Sequence, residues 1–74
     1  MRTTFDAEAD AAYIQLVPEI APARSVRNEI VETARGTVVL DFDEAGILLG
    51  VEVLGAMKLL DGEFLAGAER IDQQ

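Results

Sequence analysis

Two acidic clusters hold the residues of this chain whose types and spacing could do chemistry. "DAEAD" places Asp6, Glu8 and Asp10 close together, and "DFDE" does the same with Asp41, Asp43 and Glu44. Neighbouring carboxylates can act as acid and base when their surroundings push their pKa values apart. They can also supply oxygen ligands to a hard divalent cation. If both clusters are turns at one end of a sheet, Asp6, Asp10, Asp41 and Asp43 form the candidate set. The second cluster also fits part of a calcium loop: with Asp41 at its first position, Asp43, Gly46 and Glu52 fall at the third, sixth and twelfth. Three features oppose that reading. Ala45 offers no ligand at the fifth position, "ILLGVE" is rich in strand formers, and no helix precedes Asp41. The residues therefore favour two solvated acidic turns, with no catalytic, cofactor-binding or metal residue and no cofactor.

Other chemistry is limited by composition. The chain has no cysteine and no histidine. Disulfides, thiol chemistry, Cys/His zinc sites and imidazole bases are excluded. Ser25 lacks the histidine that a serine hydrolase triad requires. Tyr13, the single tyrosine, is expected to pack its ring and point its hydroxyl at the surface.

The turns need strands to position them. "RTTF" and "AAYIQLV", Ala11 to Val17, flank the first acidic cluster and read as strands. "PEIAP" is irregular because each proline lacks an amide donor. "ARSVRNEIVETARG" favours a strand through about Glu32 and then a turn. "TVVLDFDEAGILLGVEVL" reads as a hairpin. A four-residue loop, Asp43 to Gly46, sets Phe42 opposite Ile47, Leu40 opposite Leu49 and Val38 opposite Val51. That register gathers the apolar residues on one face, whereas a three-residue loop adds Asp41 and Asp43 to it. The other face is mixed and carries Asp41 and Glu52, for which Arg24, Arg27 or Arg35 are the natural counter-ions if that face is buried. After Gly55 the composition turns helical, with a short helix over Ala56 to Leu60. A second helical stretch or a disordered tail follows Gly62. The fold class is α+β: an antiparallel β-sheet meander of about four to five strands with a short C-terminal helix packed on one face. One domain spans residues 1–74, with its core at 2–60 and a tail of uncertain order at 61–74.

Size and charge bound the function. A domain of 74 residues hides only about 60% of its unfolded surface, yet 50% of this chain is hydrophobic. A homo-oligomer, most simply a homodimer, is the expected staple. The net charge is −8, which disfavours nucleic acid and anionic membranes and suits a basic protein partner. No run is long and apolar enough for a membrane span, and no signal peptide opens the chain, so the expected location is cytoplasmic.

The residues also suggest a family. "FDAEADAAYIQL" resembles the "YDxxADxLYI" opening of the bacterial family called domain of unknown function 2283. "VVLDFDEAGILLGVEVLGA" is similar to its second block, an aliphatic run, D-x-D, a turn glycine and "GIEIL"-like residues leading into a short helix. Phe5 stands for the usual Tyr and Ala12 for the usual Leu, which removes apolar bulk near the second strand. The resemblance implies a small sheet domain and no established activity. Gene neighbourhoods of some members imply a toxin–antitoxin association, with which an acidic surface is compatible. The leading reading is a non-enzymatic, self-associating interaction module, antitoxin-like toward a basic protein. The alternative is a small carboxylate- or metal-dependent enzyme using the acidic turns. A ligand pocket formed between subunits is a third option.

Overall fold

The computed structural model describes residues 1–73. Six strands form one open sheet: β1 (Arg2–Asp6), β2 (Ala11–Gln15), β3 (Arg27–Glu32), β4 (Thr37–Phe42), β5 (Leu48–Leu54) and β6 (Glu69–Arg70). Helices α1 (Ala56–Leu59) and α2 (Gly62–Ala66) lie between β5 and β6. The sheet order is β3-β4-β5-β2-β1-β6. All pairs are antiparallel except β1 with β6. The α+β class and the antiparallel sheet are as the sequence indicates. The meander runs only through β3, β4 and β5, because β2 pairs with β5 and not with β3. The irregular stretch that contains Pro18 and Pro22 makes the long connection from β2 to the far edge.

Residues 61–73 of the tail are a part of the fold, and Gln74 lies outside the described residues. The segment after Gly62, for which the sequence admits a helical stretch or disorder, forms α2 and then β6. Asp61 caps α2 by accepting the Glu63 and Phe64 backbone N–H groups at 3.1 and 3.2 Å, the ordinary role of an N-cap aspartate. The chain then pairs with β1, and Ile71 N–H reaches the Phe5 carbonyl at 3.1 Å.

The β4–β5 hairpin corrects the expected register. Asp43 N–H donates to the Ile47 carbonyl at 3.0 Å, and Gly46 N–H donates to the Asp43 carbonyl at 3.0 Å. Three residues, Glu44 to Gly46, therefore make the connection, with Gly46 at φ 85°, where glycine carries no steric penalty. A register shift at Asp41/Phe42 follows: Phe42 pairs with Leu48 but Asp41 pairs with Gly50, so Leu49 is an extra residue. The bulge restores the face that the three-residue loop would have inverted. Leu40 now lies opposite Val51 and Val38 opposite Val53. Each partner differs from expectation by two positions, so the apolar segregation survives. Ile47, expected on the apolar face, sits at the loop end and is exposed.

One row of paired residues shows where the core sits. Phe5 pairs with Ala12, Ala12 with Val53, Val53 with Val38, and Val38 with Val31. Phe5, Ala12 and Val53 are buried in one cluster with Ala56 and Leu65 from the two helices. Burying side chains the size of Phe5, Val53 and Leu65 contributes about 1.5–3 kcal/mol each. Ala12, where the sequence leaves the packing in doubt, is thus a central core position. Further along the same row Val38 is half-buried and Val31 is 47% exposed. The core thus lies at the β1-β2-β5 end of the row, and the β3 end of the same face is open.

Candidate functional site

The acidic candidates are placed by the register. Ala11 at the start of β2 pairs with Leu54 at the end of β5, and Gln15 pairs with Gly50. The β1–β2 turn and the β4–β5 turn are therefore at opposite ends of the sheet. Asp6 and Asp10 are not brought together with Asp43. Among the described residues, no three acidic side chains are grouped so that they could hold a metal ion.

Each candidate carboxylate has hydrogen-bond donors, local for Asp6 and distant in sequence for Asp10. Asp6 accepts the Glu8 and Ala9 N–H groups at 3.0 and 3.1 Å, which turns the chain out of β1. Asp10, at φ 52°, holds the start of α1. Its carbonyl accepts the Gly55 and Ala56 N–H groups, both at 3.0 Å, and its carboxylate accepts Met57 N–H at 2.8 Å. Asp43 Oδ1 accepts the Ala45 and Ile47 N–H groups, both at 2.9 Å, and Oδ2 lies 3.3 Å from Arg24 Nη2. The Ile47 N–H first, and then Arg24 and the Ala45 N–H, hold the Asp43 carboxyl below its usual pKa.

Asp41 belongs to a different environment, the sheet face opposite the helices. There Tyr13 pairs with Glu52, and Gly50 with Asp41. The Tyr13 ring lies over Gly50, where a Cβ would collide with the tyrosine hydroxyl and ring. Gly50 thus gives Tyr13 the room to reach across β5 and donate its hydroxyl proton to Asp41 Oδ2 at 3.1 Å. Asn28 Nδ2 donates to the other oxygen. Tyr13 does not turn its hydroxyl to the surface as expected, and Asp41 is satisfied by neutral donors rather than an arginine. Arg24 pairs with Asp43, Arg27 with Glu29 at 3.0 Å, and Arg35 donates to the Lys58 carbonyl at 2.5 Å. Burial, then the hydrogen bond to Asp41 and the charges of Asp41 and Glu52, push the Tyr13 pKa up to about 12. At neutral pH the tyrosine keeps its proton and Asp41 is engaged by two donors. The arrangement clasps β2, β4 and β3 across β5 and occupies both oxygens of Asp41. Sequence reasoning missed this clasp because a pair 28 residues apart leaves no local signal.

On the helix side a cleft of about 320 Å³ is lined by Phe5, Met57, Gly62, Leu65, Ala66 and Arg70. Its one cation is occupied: Arg70 meets both oxygens of Asp72 at 2.8 Å. The larger feature is the sheet edge. All six residues of β3 are exposed, with Ile30 at 65% and Val31 at 47%. The opposite edge, β6, is only two residues long. Among the described residues no helix is long and apolar enough to cross a membrane.

Fold and surface together define a small α+β sheet module, half covered by helices and open at one edge. The chain belongs to a family of proteins of unknown function, DUF2283, whose family model matches residues 2–56. The match covers β1 to the first residue of α1 and includes both sequence blocks. No curated protein and no solved structure matches the chain.

Proposed function

We propose that this protein is a non-enzymatic interaction module that self-associates and presents an acidic surface to a basic protein partner, in the manner of an antitoxin. One observation carries the reading: the paired row that is buried at Phe5, Ala12 and Val53 continues to an exposed Val31 on an edge strand with no cover. Natural sheets blunt or cover such edges, because their unpaired backbone groups template association. The net charge of −8 supports a cationic partner for the rest of the surface. The carboxylates of Asp6, Asp10, Asp41 and Asp43 each accept hydrogen bonds from the fold, and this, with the separation of Asp6 and Asp10 from Asp43, favours this reading over a carboxylate- or metal-dependent enzyme.

Thermal unfolding over a range of protein concentrations tests it. Self-association stabilises the folded state by mass action, so Tm rises with concentration. Calcium, magnesium and manganese leave Tm unchanged. A Tm independent of concentration overturns the self-association, and a Tm raised by a divalent ion reopens the enzyme reading.

A further inference from the structure

We infer that the partner at the open edge is a second copy of this chain, joined through β3 in an antiparallel two-fold pairing that sets Ile30 opposite its own copy. This rests on the self-associating reading and assigns its surface and register.

The choice of partner follows from charge. The chain carries only six basic residues, and three of them, Arg24, Arg27 and Arg35, flank or begin β3. Glu29 and Glu32 are the acidic residues in the same stretch. Two chains of net charge −8 repel over most of their surfaces, but this stretch is locally balanced. A strongly basic partner is drawn to the acidic surface elsewhere, whereas the β3 edge is where two copies can meet without repulsion. The backbone supplies the same argument, since six consecutive residues have a neighbour on one side only.

Symmetry and side chains then select the register. A two-fold axis perpendicular to the sheet keeps each side chain on its own face, so some residue must lie opposite its own copy. Centring on Asn28 or Val31 leaves much of β3 unpaired. Centring on Glu29 sets two carboxylates directly opposite each other, which is destabilising. Centring on Ile30 pairs residues 28–32 with their copies. It places Val31 opposite Glu29 and Asn28 opposite Glu32, and it sets no like charges in direct opposition. The two exposed Ile30 side chains cover one another, and the helices of both copies lie on the same side of one continuous sheet.

The absence of cysteine from the chain gives a direct test. Glu29→Cys, Ile30→Cys and Val31→Cys each introduce a single thiol at an exposed position, and Ile47→Cys serves as a control outside β3. Directly opposed strand residues have Cα atoms roughly 4.5–5.5 Å apart, within disulfide reach. Positions 29 and 31 are displaced from the axis and lie on the order of 8 Å from their own copies. The expected result is fast, near-complete oxidation of Ile30→Cys to a disulfide dimer, with the other three variants at least tenfold slower. Sedimentation of the unmodified chain runs in parallel. A dimer that cross-links fastest at position 29, 31 or 47, or equally at all four, overturns the β3 pairing and leaves self-association standing. A chain that stays monomeric overturns both.

Discussion

Asp10 precedes Met57 by 47 residues, yet its carboxylate accepts the Met57 backbone N–H at 2.8 Å. With its carbonyl taking the Gly55 and Ala56 N–H groups, one residue of the first acidic turn satisfies the free donors at the start of α1. Asp10→Ala removes that cap and leaves alanine at φ 52°. We expect a loss of about 1–2 kcal/mol in urea unfolding, with Asp10→Asn losing less because asparagine tolerates the left-handed region. Equal losses for both substitutions would contradict the capping role.

The Tyr13 clasp is visible by absorbance because the chain has one tyrosine and no tryptophan. The phenol should titrate with a midpoint near 12. Asp41→Asn removes a negative charge and should lower the midpoint part of the way toward the ordinary value of about 10, since burial still acts. Gly50→Ala displaces the ring and should lower it as well. Because the folded-state pKa is raised, this contribution to stability is complete below about pH 10 and falls away as pH climbs toward 12.

Acid acts through other groups. Asp72 is held well below the usual carboxylate range, first by its hydrogen bonds from Arg70 and also by the backbone at Ala7. Asp43 is lowered chiefly by Ile47 N–H. Both folded values lie below the unfolded one, so their stabilisation is present above about pH 4 and is lost as pH falls through the folded values. Asp72→Asn should flatten the acid limb of a stability–pH curve measured in urea. An unchanged limb would show that the pair of Arg70 and Asp72 contributes nothing.

Along the row from Phe5 to Val31, truncation costs should follow burial. Phe5→Ala is expected to cost about 3–5 kcal/mol, enough to unfold a domain of this size. Val31→Ala in dilute protein should stay within about 0.5 kcal/mol of the parent. Comparable costs at both ends would mean that the β3 half of the face is covered in the monomer.

Much of this was legible in the residues. Alternation marks β4 and β5, the prolines mark an irregular segment, and the two family blocks mark the class. The strand order was not, because nothing local says that Ala12 pairs with Val53 rather than with a residue of β3. The hairpin register differs by two positions from the one the pattern predicts, because a three-residue loop and a bulge at Leu49 cancel in parity, and a hydrophobic pattern reports only parity. The tail was open because Gly62 and Gly67 weaken a helix, while the Asp61 cap and the pairing of β6 with β1 are gains the pattern does not display. Asp10 and Asp41 are chemical candidates by residue type and spacing. Their carboxylates are instead engaged with partners far along the chain, a role indistinguishable in sequence from a ligand or a solvated turn.

The most direct test of the central claim is sedimentation equilibrium of the full chain from low to high micromolar concentration, without added metal. Self-association through an open edge predicts a weight-average mass that climbs from 8.0 kDa toward twice that value and stops there, because a two-fold pairing through β3 closes. A mass that stays at 8.0 kDa throughout would contradict it.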